Sequence, residues 1–192
     1  FNKSINVIKS KNIFAKVESQ ILPGSNPNFK VINLTVEEKP TGEISLGAGF
    51  GTSGGTVGGG IKENNFLGKG IMLDTSLQVS ADTIKGKFVH VKPNFNYSDN
   101  TLYTSVSSVT SDNLMDSGYK TSNIGFSLGT SFEQYENLFF KPTIKANYEK
   151  LETTSTATSS LQKQKGNYFD TYFNYSLDYD VRNKSYQPDE GY

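Results

Sequence analysis

Side chains that commonly do chemistry are sparse in this sequence. His90 is the only histidine and there is no cysteine, so metal sites and serine–histidine nucleophile pairs have almost nothing to build on. Asp170, Asp178 and Asp180 are the acidic group from which acid–base or calcium chemistry would have to come. They fall on alternate positions of one extended stretch, spaced along a wall, and a polar lining is the favoured reading. The glycine run 51–60 is not a phosphate loop: no Gly-Lys-Ser/Thr follows, and Gly68-Lys69-Gly70 lacks the hydroxyl that would hold magnesium. Asn2-Lys3-Ser4 fits a glycosylation sequon by chance alone. No cofactor or metal is implied, and no enzymatic activity is expected. His90 reads as a polar side chain on the lumen side of its strand or exposed.

What remains is the chemistry of the backbone, concentrated in Thr41–Gly70. There Ile44, Leu46, Ala48 and Phe50 alternate with Ser45, Gly47, Gly49 and Gly51. A soluble sandwich strand would fill its inner face with bulk. This one suits a strand whose apolar face meets lipid and whose other face borders a crowded or wet lumen. Glycine also ties a strand weakly to its neighbours, because it loses much backbone entropy and offers nothing to pack. Periodicity leaves two compatible readings open: a weakly held edge, or a place where strands bend or an interior plug approaches.

The elements that position this stretch follow from composition and pattern. The 192 residues are 34% hydrophobic and 12% aromatic, all Phe and Tyr with no Trp. No run approaches the ~18 apolar residues of a membrane helix, whereas barrel strands, only half apolar, remain allowed. Nineteen basic and nineteen acidic residues cancel, which removes the electrostatic case for nucleic acid. The chain opens at Phe1 in mid-pattern, as a piece of a longer protein would.

Residues 1–40 read as part of a small α+β module. Phe1, Ile5 and Ile8 have helical spacing; Ala15, Val17, Ser19 and Ile21 alternate; Leu22–Asn28 is a turn; Ile32, Leu34 and Val36 alternate again. Residues 41–192 read as about eight antiparallel strands. Expected lipid-facing positions are Ile71, Leu73 and Leu77, then Val89 and Val91 with Pro93, Phe95 and Tyr97 continuing their strand. Further along come Phe126, Leu128, Ile144, Phe173 and Tyr175. Charges keep to the other face of nearly every strand, and aromatics gather near strand ends. The fold class is therefore mostly β: the end of an α+β module followed by half of a transmembrane β-barrel.

In order and spacing, the chain resembles the BamA-type outer-membrane assembly factors, in which POTRA modules precede a barrel. The resemblance rests on Phe1–Glu38 as the end of a POTRA module and on the junction Val36–Gly42. It rests further on Gly47–Thr52, Asn65–Gly70, Lys92–Phe95, Tyr179–Asn183 and Pro188–Gly191, the last two as the turn near the middle of the barrel. The family's Val-Arg-Gly-Phe loop is absent here. What the resemblance implies is a lateral gate: a first strand, here Glu43, Ile44, Ser45, Leu46, Gly47, Ala48, Gly49, Phe50, Gly51 and Thr52, whose edge templates the strands of unfolded outer-membrane clients by β-augmentation. It also implies periplasmic chaperones and assembly-complex lipoproteins as partners, membrane lipid around the barrel, no nucleic acid, and location in a bacterial outer membrane with the N-terminal module in the periplasm. The strand 30–38 would abut the barrel and help hand over clients. Two alternatives stand beside this: a two-partner secretion or other transport barrel of the same superfamily, and a self-contained eight-stranded structural or adhesion barrel. A soluble ligand-binding barrel, apolar inside and charged outside, ranks third.

Overall fold

A computed structural model of the chain describes residues 1–51, 54–182 and 191. Helix α1 (Asn2–Ser10) is followed by β1 (Phe14–Pro23) and β2 (Lys30–Glu38), which pair antiparallel as a two-stranded sheet. Ile13, between α1 and β1 in the chain, is buried, and the Lys39 backbone N–H donates to its carbonyl at 3.2 Å. These elements match the helix, strand, turn and strand expected for residues 1–40.

The rest is one eight-stranded antiparallel sheet in strict sequence order: β3 (Gly42–Gly51), β4 (Gly54–Phe66), β5 (Ile71–Ser80), β6 (Thr83–Lys92), β7 (Thr101–Asn113), β8 (Tyr119–Tyr135), β9 (Leu138–Thr153) and β10 (Gly166–Tyr179). A short helix, α2 (Ser159–Lys163), lies between β9 and β10. Every neighbour is a hairpin partner, so the sheet is an uninterrupted meander with β3 and β10 at its two ends. These two strands do not pair with each other among the described residues, so the closed eight-stranded alternative is not what forms.

Cross-strand partners share a face, and the ladders carry one apolar face across the whole sheet. Leu46 opposes Gly59, Gly59 opposes Leu77, and Leu77 opposes Gly86. Farther along, Phe88, Val106, Phe126, Ala146 and Thr171 form one continuous row, and Leu128, Ile144 and Phe173 another. The opposite face carries Glu43, Lys62 and Asp74 in register, then Ser105 beside Ser127 with their hydroxyls 2.7 Å apart, then Lys145. A Lys87–Asp74 pair at 3.9 Å and the Lys141–Asp178 pair also lie there. Almost nothing is fully buried, as expected of a single layer whose apolar side chains have no protein layer over them.

The ladder corrects the pattern reading of β6. Val89 opposes Asp74 and Val91 opposes Met72, whereas Leu73 opposes His90 and Leu77 opposes Gly86. Val89 and Val91 therefore lie on the polar face, opposite to Leu73 and Leu77. Ile84, Phe88 and His90 take the apolar face. The cause is that Thr83–Lys92 has apolar side chains at both parities, and the tight turn at Ala81–Asp82 selects the parity. Ser80 holds that turn, its Oγ donating to Asp82 Oδ1 at 2.8 Å and accepting from the Thr83 N–H at 3.1 Å. Pro93, Phe95 and Tyr97 do not extend β6 either. The chain turns there in a short 3-10 segment, Phe95–Tyr97, with Asn94, Asn96 and Tyr97 at positive φ.

Candidate functional site

β3 is the exposed end of the sheet. It pairs with β4 alone, from Gly42 opposite Glu63 to Gly51 opposite Gly54, and its other backbone edge meets no strand among the described residues. Unpaired N–H and C=O groups along such an edge are a template for another strand. All predicted edge residues from Glu43 to Gly51 lie in this strand; Thr52 lies outside the described residues. Ile44, Leu46 and Phe50 project from the apolar face at 76%, 87% and 96% exposure.

The glycines of β3 and β4 do different things. A Cβ at Gly47, Gly49 or Gly51 would meet nothing within 4 Å. In β4, a Cβ at Gly59 would sit 2.9 Å from Leu46 Cδ2, and one at Gly60 would sit 3.0 Å from the Thr75 carbonyl oxygen. Gly58, Gly59 and Gly60 of β4 therefore permit close approach, while Gly47, Gly49 and Gly51 of β3 leave open space. An open groove of about 670 Å³ runs along β3, lined in part by Gly47, Gly49, Gly51, Gly58 and Gln78.

At its start β3 is tied down by residues the pattern reading did not single out. The Thr41 hydroxyl donates to the Glu63 carboxylate, and Glu63 Oε1 also accepts from the Asn65 N–H at 2.7 Å. Asn65 Oδ1 in turn accepts from the Gly70 N–H at 2.7 Å. A glutamate just before the Asn64-Asn65 pair, where the ladder to β5 slips, was the available signal.

The remaining predicted positions are distributed along the sheet. Ile71, Leu73, Leu77, Phe126, Leu128, Ile144, Phe173 and Tyr175 share the apolar face by register. Phe140 brings Phe132 (5.7 Å between centroids) and Tyr175 (6.2 Å) into one aromatic group near the β8–β9 turn. The three aspartates do not converge. Asp170 opposes Asn147, Asp178 is held by Lys141, and Asp180 is held by Arg182 at 2.6 Å. The Arg182 guanidinium and backbone N–H, both donating to Asp180, bring its carboxyl down to about 2. Among the described residues, no group of three metal-ligating side chains occurs. No described helix is long and apolar enough to cross a membrane, which says nothing about strands.

Comparison with known proteins places this geometry. No curated protein sequence matches the chain. Among solved structures, it is similar to BamA from Haemophilus ducreyi lacking POTRA domains 1–3, with a TM-score of 0.67 at 21% identity. The match covers 97% of this chain and 39% of that one, so the chain spans well under half of the relative's length. The open eight-stranded sheet corresponds to half of that barrel. The model of the Omp85 superfamily domain matches residues 65–192, two thirds of the sequence, and the chain belongs to the Omp85 superfamily.

Proposed function

We propose that this chain serves the assembly and insertion of β-barrel proteins into a bacterial outer membrane, with β3 as the gate edge on which client strands form. The observation that carries this reading is the state of β3: paired on one side only, terminal in the sheet, with open space over Gly47, Gly49 and Gly51. A client strand adding there gains backbone hydrogen bonds, and β-augmentation of this kind needs no nucleotide and little side-chain chemistry. Bare glycine positions let the edge bend and release its product, because they contribute no side-chain contacts to hold it.

In this reading the apolar face meets lipid. On β9 the face runs from Leu138 to Tyr148 and ends at Lys150 and Glu152, which form an ion pair at 2.8 Å. About 11 residues at ~3.4 Å each give roughly 37 Å along the strand, and at a tilt near 45° roughly 25 Å across, the height of an outer-membrane apolar band. Residues 1–40 are the end of a POTRA module in the periplasm, where β2 (Lys30–Glu38) borders the barrel. Chaperones and lipoproteins of the assembly complex would be met on that side. The exporting alternative shares the superfamily, and no feature of the sheet favours it.

The test is reconstitution of the full-length protein in phospholipid vesicles, with an unfolded outer-membrane protein as client. Gly47→Val together with Gly49→Val should slow client insertion. Insertion at the unaltered rate would count against β3 as the templating edge.

A further inference from the structure

Side-chain ties between β3 and β4 are unevenly spread. Thr41 bonds to Glu63 at the junction with the module, and Asn64 Nδ2 and the Asn64 N–H both reach the Thr41 carbonyl, at 3.3 and 3.4 Å. Farther along, Ser45 Oγ donates to the Gly60 carbonyl at 3.4 Å. From Leu46 to Gly51, no side-chain hydrogen bond joins the two strands among the described residues, and there the glycines of β3 stand over open space.

Glu63 is also on an unexpected face. It opposes Gly42 and Leu73, so it stands at the module end of the apolar face. A carboxylate bordering apolar surroundings must have its oxygens satisfied. Here one oxygen accepts from both the Thr41 hydroxyl and the Asn65 N–H. The β4–β5 ladder slips between Glu63 and Phe66, and this irregularity brings the Asn65 N–H back onto the Glu63 carboxylate. Asn65 then closes the turn by accepting from the Gly70 N–H. One carboxylate thus joins three things: the residue that leaves the module, the end of β4 and the turn into β5.

We infer that Glu63 is a positioning residue that clamps the root of β3, so that the edge opens as a flap from its glycine-rich far end while Thr41–Ile44 stays fixed to the sheet. This rests on the reading of β3 as a client-templating edge. A fixed root keeps the first backbone groups of the template in register while the remainder bends. It also keeps the module attached to the sheet at a constant point as the edge moves.

Hydrogen–deuterium exchange of the full-length protein in phospholipid vesicles tests the clamp without any activity readout. With Glu63→Ala, amides of residues 41–46 and 63–70 should exchange about tenfold faster, the loss expected for a hydrogen-bonded anchor. Thr41→Val, which preserves shape, should reproduce the effect at 41–46. Glu63→Gln keeps an acceptor oxygen and should restore most of the protection. Residues 47–51 should exchange quickly in every variant, and β9 should be unchanged. Unaltered exchange at 41–46 would overturn the clamp, as would a uniform rise through β9, which signals general destabilisation. If the root loosens as expected while client insertion is unaffected, the clamp stands and the templating role of β3 falls.

Discussion

The register of β6 gives a sharp test, because adjacent residues exchange roles if it is wrong by one. Phe88 opposes Thr75 and Val106 and belongs to the apolar face, whereas Val89 opposes Asp74 and Ser105 on the polar face. Consider Phe88→Lys and Val89→Lys, each made singly. Within a lipid-facing band, a lysine costs about 2–4 kcal/mol near the midplane and less toward the interfaces. In the proposed arrangement, with the apolar face toward lipid, Phe88 stands on that face between Gly86 and His90, and this range applies to it. The lysine replacing Val89 would stand opposite Asp74 on the polar face, and its cost should stay within about 1 kcal/mol. The two variants should therefore differ by roughly 2–3 kcal/mol, about 30- to 150-fold in folding equilibrium at 1.4 kcal/mol per factor of ten. Equilibrium urea unfolding of the full-length protein in thin phospholipid vesicles, followed by heat-modifiable mobility, measures both. Equal costs, or a heavier cost for Val89→Lys, would refute the register and with it the continuous apolar face.

Other consequences follow from the same geometry. Stiffening β3 with Gly47→Val and Gly49→Val should contribute about 1–2 kcal/mol in total from strand propensity. If opening precedes insertion, that slows client insertion roughly 5- to 30-fold, while Gly86→Val, also open to a Cβ but in an interior strand, should leave the rate unaltered. Gly118, at φ +71°, lies against the β9–β10 loop: a Cβ there would sit 2.5 Å from the Ala157 nitrogen, and its carbonyl accepts from the Thr154 N–H at 2.8 Å. Gly118→Ala should displace residues 154–165 and speed their proteolysis without changing insertion, so equal cleavage rates would contradict the packing. Asp180 has a folded pKa of about 2, below the ordinary value near 3.9. Its bond to Arg182 therefore contributes fully above pH ~4 and is lost as pH falls toward 2. Arg182 Nε–H exchange should accelerate over that interval; acceleration already at pH 6 would contradict the assignment.

Much of the architecture was legible because lipid-type strands advertise their face. In β10, Phe169, Phe173, Tyr175 and Leu177 stand against Asp170, Asn174, Ser176 and Asp178, and no other parity is sensible. The hairpin of residues 14–38 was legible from two alternating runs around a Pro-Gly-Asn turn. β6 was not legible, since Ile84 and Phe88 compete with Val89 and Val91, and only pairing to β5 decides. β8 and β9 extend past the alternating runs Ile124–Leu128 and Phe140–Tyr148 that mark them in the sequence, because backbone pairing continues where the alternation stops. The edge itself was readable from Gly47, Gly49 and Gly51, but not its distinction from the β4 glycines, which depends on where Leu46 and Thr75 come to lie. Glu63 was hidden for the same reason: its partners are Thr41, far earlier in the chain, and an N–H turned toward it by an irregular ladder.

The absence of cysteine from these 192 residues makes one measurement especially direct. Single cysteines at Ile44, Leu46 and Gly47 in β3, and at Leu77 in β5 for comparison, can be placed in the full-length protein and challenged with a client carrying one cysteine in its terminal strand. Disulfides should form from β3 during insertion, with partner positions shifting stepwise along the client, and none from Leu77, whose strand is paired on both sides. Cross-links from β5 as abundant as those from β3, or none from β3 while insertion proceeds, would contradict β3 as the templating edge.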